Sequence, residues 1–143
     1  MEGRMKKVLV ATDGSAESFK AIDRAAELGK NDSVELIVIN VAEDFCPLEL
    51  ADADCEVIRQ LLMKEAESIM SKAIGRLKEL GLEAKGIIEF GSPAETILEI
   101  ADREKVDEII VASQGKHGVK KILMGSVASR VLEWAKCPVT VVK

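Results

Sequence analysis

Aromatic residues make up only 3% of this 143-residue chain: one Trp, three Phe and no Tyr. The one basic cluster, 116–121, is too short for a nucleic-acid stripe and has no aromatics interleaved with its cations, which argues against that class of partner. The single histidine, His117, leaves no metal-ligand cluster and no carboxylate-oriented base beside a nucleophile. Positive charge is also in deficit. A net charge of -5 argues against nonspecific binding to nucleic acid or to a membrane surface. No apolar run approaches a bilayer span, and no secretory signal follows Met1-Glu2-Gly3-Arg4, so a cytoplasmic location is the expectation. The three cysteines, Cys46, Cys55 and Cys137, form no Cys-x-x-Cys pair. Reduced thiols are the default for such a chain. The short Cys46–Cys55 separation also suits a disulfide loop of the kind found inside hyperthermophile cells, a direction in which the abundant Glu and Lys lean.

What is present is a regular alternation of two periodicities. Lys7–Ala11 (KVLVA) reads as a buried strand, and Ser15 then caps a helix carrying Phe19, Ile22, Ala25, Ala26 and Leu28 that stops at Gly29. Val34–Val41 is a second strand, followed by an irregular acidic segment over 42–53. Ile58, Leu62, Ala66, Ile69, Ala73, Leu77 and Leu80 recur at spacings of three and four, the stripe of one long helix ended by Gly81. Leu82–Phe90 is a third strand. Ser92, Pro93 and Glu95 have the form of a capping box for a helix with Ile97, Leu98, Ile100 and Ala101. Glu108–Ala112 is a fourth strand. Ser126–Ala135 is a last helix with Val127, Ala128, Val131, Leu132 and Ala135 inward, and Pro138–Val142 is a fifth strand.

Five strands joined by helical crossovers predict an α/β domain spanning residues 1–143: an open parallel sheet covered by helices on both faces. With right-handed crossovers the expected strand order is 3-2-1-4-5. Connections then leave the first and fourth strands in opposite directions, and a ligand crevice opens at their C-terminal ends. Thr12-Asp13-Gly14 and the loop after Ala112 converge there. That loop carries Gly115, Gly118 and Gly125 with Lys116, Lys120 and Lys121, and it ends at a helix start, where free amides and the helix dipole suit an anion.

Two segments carry a family resemblance: VLVATDGS, Val8 to Ser15, and GSVASRVLEWAKCPVTVVK, Gly125 to Lys143. Between them Ala112-Ser113-Gln114-Gly115, nine residues and Gly125-Ser126 match a G-x-x-G, nine-residue, G-S/T nucleotide loop, with Ala112 in place of the first glycine. Over essentially its full length the chain resembles the universal stress proteins. The resemblance implies a Rossmann-like fold that binds ATP or AMP, with Mg as an allowed companion. It places Asp13 near adenine or ribose, with Thr12 beside it among the binding residues, Val41 against adenine through its backbone, and Ala112 and Gly115 close to sugar and phosphates. It also gives Gly125, Ser126, Val127 and Ala128 to the phosphates, with Lys116 as a charge partner. A homodimer through the edge strand Val139–Val142 is implied as well.

Rival readings differ in what they require. A P-loop ATPase needs G-x-x-x-x-G-K-S/T, which is absent. A phosphoacceptor receiver domain needs an aspartate where the third strand ends in Phe90-Gly91-Ser92. Ser113 and Ser129 lack a nucleophile elbow. Trp134 suits packing or a subunit contact, and Met63, Met70 and Met124 are core fillers or surface residues. A nucleotide-free dimeric interaction module of the same family is the remaining alternative, and Ala112 is its support. Hydrolysis of ATP is expected to be slow at most.

Overall fold

The computed structural model describes residues 5–43, 46, 51–115 and 124–143. Its elements, in chain order, are β1 (Lys6–Ala11), α1 (Ala16–Asn31), β2 (Val34–Ala42), α2 (Asp52–Glu79), β3 (Ala84–Phe90), α3 (Pro93–Glu104), β4 (Glu108–Ala112), α4 (Ser126–Trp134) and β5 (Val139–Val142). The strands form one parallel sheet in the order β3-β2-β1-β4-β5, as the crossover argument predicts. Residues 116–123, which include Lys116, His117, Lys120 and Lys121, lie outside the described residues.

Strand side chains alternate between two cores. Val8, Val10, Leu36, Val38 and Ile110 pack with Ala21, Ile22, Ala25 and Ala26 of α1 and Met70, Ala73 and Leu77 of α2. Leu9, Ile37, Ile39, Ile109 and Val111 pack on the opposite face with Ala94, Ile97 and Ile100 of α3 and Ala128 and Val131 of α4. Since both faces of the central strands are buried, their sequences are continuous apolar runs instead of alternating ones.

Several local expectations change. Helix α1 does not stop at Gly29 but runs to Asn31. A Cβ at Gly29 would lie 3.2 Å from Leu82 and 3.3 Å from Leu36, so this glycine admits close packing and does not terminate the helix. Ser92 caps α3 by position, yet its side chain makes no capping bond. Its partner is the Glu95 carboxylate, which also accepts from Arg130 Nη1 of α4 at 2.7 Å. The Ser92 bond and then the Arg130 bond hold the Glu95 carboxyl below its ordinary range. Leu132, expected inward, is 48% exposed, as is Trp134 at 66%, because the nine-residue α4 turns only Ala128 and Val131 fully into the core. The default of three reduced thiols is also overturned. Cys46 and Cys55 are joined in a disulfide, with Cα atoms 5.6 Å apart, and Cys137 is the free thiol.

Candidate functional site

A cleft of about 620 Å³ opens at the C-terminal ends of β1, β2 and β4. This volume suits a small organic ligand. Thr12, Asp13, Val41, Ala112, Gly115, Gly125, Ser126, Val127 and Ala128 all line it. Of the residues assigned to the nucleotide from sequence, Lys116 lies outside the described residues, as do Gly118, Lys120 and Lys121 of the same loop.

The turn after β1 is built by side chains bonding to backbone. Ser15 N–H donates to Asp13 Oδ1 at 2.9 Å, and Gly14 N–H to Thr12 Oγ1 at 3.2 Å. Thr12 Oγ1 and Ser18 Oγ are 2.8 Å apart, and Ser15 Oγ accepts the Ser18 N–H at 3.1 Å as the α1 cap. Gly14 has a φ of +86°, a conformation that a residue with a Cβ resists, and Ile69 of α2 sits directly over it. The other Asp13 oxygen, Oδ2, lies against Gly115, where an added Cβ would overlap it. The turn after β1 and the loop after β4 therefore meet across one cleft.

At the opposite wall, α4 begins. The helix starts at Ser126, and Gly125 stands at its N-cap. Gly125 N–H donates to Ser113 O, and the tight approach of these backbones leaves 3.2 Å between Ser113 O and an added Cβ. The first bond of the helix runs from Ser129 N–H to Gly125 O. The amides of Ser126, Val127 and Ala128 precede it, and the N-cap Gly125 offers them no side-chain acceptor. Three such N–H groups at the positive end of a helix dipole form an anion site.

Ala112 is an ordinary strand residue, paired with Val142. Its neighbour Ser113 continues the contact, donating its N–H to Val142 O at 2.7 Å. The methyl packs toward the α1–α2 core, so alanine adopts this position without strain.

The cleft also has lining residues that no motif marks. Leu62, Glu65, Ala66 and Ile69 of α2 form one wall, because the stripe that buries α2 further on overhangs the cleft here. Asn40 is a lone polar residue in the apolar run of β2, and that interruption was the available signal. It is buried, and its Nδ2 donates to Thr12 O at 2.8 Å, tying the end of β2 to the β1 turn. Glu43, Pro93, Ile97 and Gln114 complete the rim. A second hollow, about 150 Å³ beside Trp134 and Cys137, lies toward the other end of β4 and is too small for a comparable ligand.

An open, doubly wound parallel sheet with an anion-receptive cleft at its switch point defines a class of ligand-binding α/β domains. Comparison makes the assignment specific. Residues 5–143 match the model of the universal stress protein family, and the chain belongs to that family. It is 36% identical to the universal stress protein MJ0531 of Methanocaldococcus jannaschii, over 99% of this chain and 84% of that one. The solved structure of MJ0577, from the same organism, superposes with a TM-score of 0.86 at 33% identity, covering 96% of this chain and 95% of the other. A universal stress protein solved in complex with cAMP superposes with a TM-score of 0.75 at 27% identity, covering 99% of both chains.

Proposed function

We propose that the cleft binds an adenine nucleotide, AMP or ATP, and that the bound state is the protein's output in stress response or signalling. The observation that carries this reading is the meeting of Asp13 with Gly115 across a cleft whose far wall holds the amides of Ser126, Val127 and Ala128. The residues present fit such a ligand. Ile39, Val41, Leu62, Ala66 and Ile69 offer apolar contact for a purine. The Asp13 carboxylate is a suitable acceptor for ribose hydroxyls, and the helix amides are suitable donors to phosphate. Gly115 keeps its backbone open where a side chain would collide with Asp13, and Gly125 where one would crowd the Ser113 carbonyl. The cAMP complex of a relative agrees in ligand class. Lys116 and a Mg ion are further charge partners for a longer phosphate chain.

Any hydrolysis is slow in this reading. Among the described residues lining the cleft there is no Arg, Lys or His to stabilise a transferring phosphoryl group. The strand geometry of Ala112 weakens the alternative, a nucleotide-free interaction module, since the alanine closes nothing by its conformation. The protein acts in the cytoplasm as a homodimer through the outer edge of β5, which pairs with β4 on its inner side only among the described strands.

Thermal unfolding with AMP, ATP and GTP tests the ligand. At one hundred times Kd a ligand adds about 2.7 kcal/mol, which for a chain of this size is about 8 °C. Shifts with adenine nucleotides and a much smaller one with GTP are expected. No shift with any of them favours the interaction module.

A further inference from the structure

The wall that α2 contributes to the cleft is held in an unusual way. From Asp52 to Glu65 no side chain of α2 is buried; the first is Ala66. Val57 and Leu61 are 55% and 62% exposed. The N-cap, Ala51, offers no side-chain acceptor to the first amides. By contrast α1 has its Ser15 cap and buries Ser18, and α3 buries Ala94 in its first turn. A helix start with neither cap nor core is marginal in water, since helix stability in proteins comes mostly from packing. Yet Leu62 and Glu65, in this poorly anchored part, line the cleft with Ala66 and Ile69. A covalent tie reaches the start of α2. Cys55 in its first turns is bonded to Cys46, a few residues beyond Glu43, which is itself a cleft residue at the end of β2.

We propose that the Cys46–Cys55 disulfide is a redox clasp on the cleft: oxidised, it holds the first turns of α2 in place and sustains nucleotide affinity, and reduced, it releases them and lowers that affinity. The inference rests on the nucleotide reading of the cleft. Both cysteines are half-buried, so a small dithiol reaches them. The exchange is balanced. A dithiol's thiolate attacks one sulfur of the bond and the other leaves as a thiolate that takes a proton. The dithiol's second thiolate then displaces the remaining cysteine, so the protein gains two electrons and two protons and the dithiol becomes a disulfide. Reoxidation is the reverse exchange with an oxidised dithiol carrier. Cys137 does not compete. It lies beyond the other end of the sheet, and burial, with Asp102, Asp107 and Glu108 nearby, raises its thiol above the ordinary range.

The size of the effect follows from population. A ligand that needs the α2 wall in place binds with an apparent Kd divided by the fraction of molecules in which it is in place. A reduced form with that wall formed in about a tenth of molecules binds about tenfold more weakly, a difference of about 1.4 kcal/mol. The experiment is calorimetric titration of AMP and ATP into the full chain, disulfide-bonded and then reduced by a phosphine, with thiol counts confirming each state. Cys46→Ser/Cys55→Ser and Cys137→Ser are titrated alongside, and hydrogen exchange is followed at the amides of 52–62. Expected are about tenfold weaker binding on reduction, faster exchange in those turns, a double-serine variant that matches the reduced protein, and a Cys137→Ser variant that matches wild type. Affinities within about twofold in the two states overturn the clasp and leave the nucleotide reading standing. A redox response that persists in the double-serine variant also overturns it. No binding in either state overturns the nucleotide reading, and the clasp falls with it.

Discussion

Gly115→Ala places a methyl group where Asp13 Oδ2 now lies. The backbone at 115 is outside the left-handed region, so alanine adopts it and the cost is steric alone. To make room the Asp13 carboxylate must turn away, and its bond from Ser15 N–H, 2.9 Å at Oδ1, is lost or lengthened. A hydrogen bond to a charged, part-exposed acceptor is worth about 1–2 kcal/mol, which corresponds to a fall in Tm of about 3–6 °C. In an Asp13→Ala background the overlap is gone. There Gly115→Ala should be neutral, or stabilising by about 0.4–1 kcal/mol through the unfolded chain. The four proteins of this double-mutant cycle, unfolded in urea, should give a coupling of about 1–2 kcal/mol. Additive effects, within about 0.5 kcal/mol, mean that the two segments do not touch, and the proposed site is then wrong at its centre. Nucleotide titration adds a second readout: Gly115→Ala should weaken AMP binding beyond what its stability change explains, because it crowds the ligand's space.

Ser126→Asp, at the exposed first residue of α4, should raise stability by about 0.3–1 kcal/mol through the helix dipole and lower nucleotide affinity by placing a charge where a phosphate would sit. A variant that gains stability and keeps its affinity locates the phosphates elsewhere. Glu108 governs part of the acid response. Burial pushes its carboxyl up, but hydrogen bonds from Lys6 and Thr140 outweigh this and hold it below the ordinary 4.5. That contribution is full above pH 4.5 and is lost as pH falls through the depressed folded value, so Glu108→Gln should be less stable near neutrality and lose less stability on acidification. Parallel acid profiles for the variant and wild type refute the assignment. Sedimentation should find a species of about twice the 15.5 kDa chain mass, and a concentration-independent monomer removes the β5 dimer.

The order of strands and helices was legible because it depends on short-range patterns. Runs such as Val8–Val10 and Ile109–Val111 are apolar without a break, rich in β-branched residues and followed by turn residues, the pattern of a short strand buried on both faces. The stripe from Ile58 to Leu80 specifies a helix by spacing alone. Given that alternation, the handedness of crossovers leaves few sheet orders, and the observed one follows. Caps were less legible. Ser15 does what its sequence suggests, while Ser92 stands at its cap without a capping bond from its side chain, and Gly125 caps α4 where the Ser113 carbonyl leaves a side chain little room.

The elements, most of their buried faces and the family loop are written in residue order, since each is set by neighbours within a few turns of chain. Strand order already brought the Asp13 turn and the Gly115 loop to one crevice, and spacing allowed the Cys46–Cys55 loop, but the contacts themselves came from packing: Asp13 Oδ2 against Gly115, Asn40 on the Thr12 carbonyl, Ile69 over Gly14, and the bond between Cys46 and Cys55. Leu132 remained outside for the same reason, because the width of a helix's buried stripe is set by what packs against it. Contacts between distant segments depend on how crossovers stack on the sheet. That arrangement minimises exposed apolar surface over the whole molecule, and no local window of residues contains it.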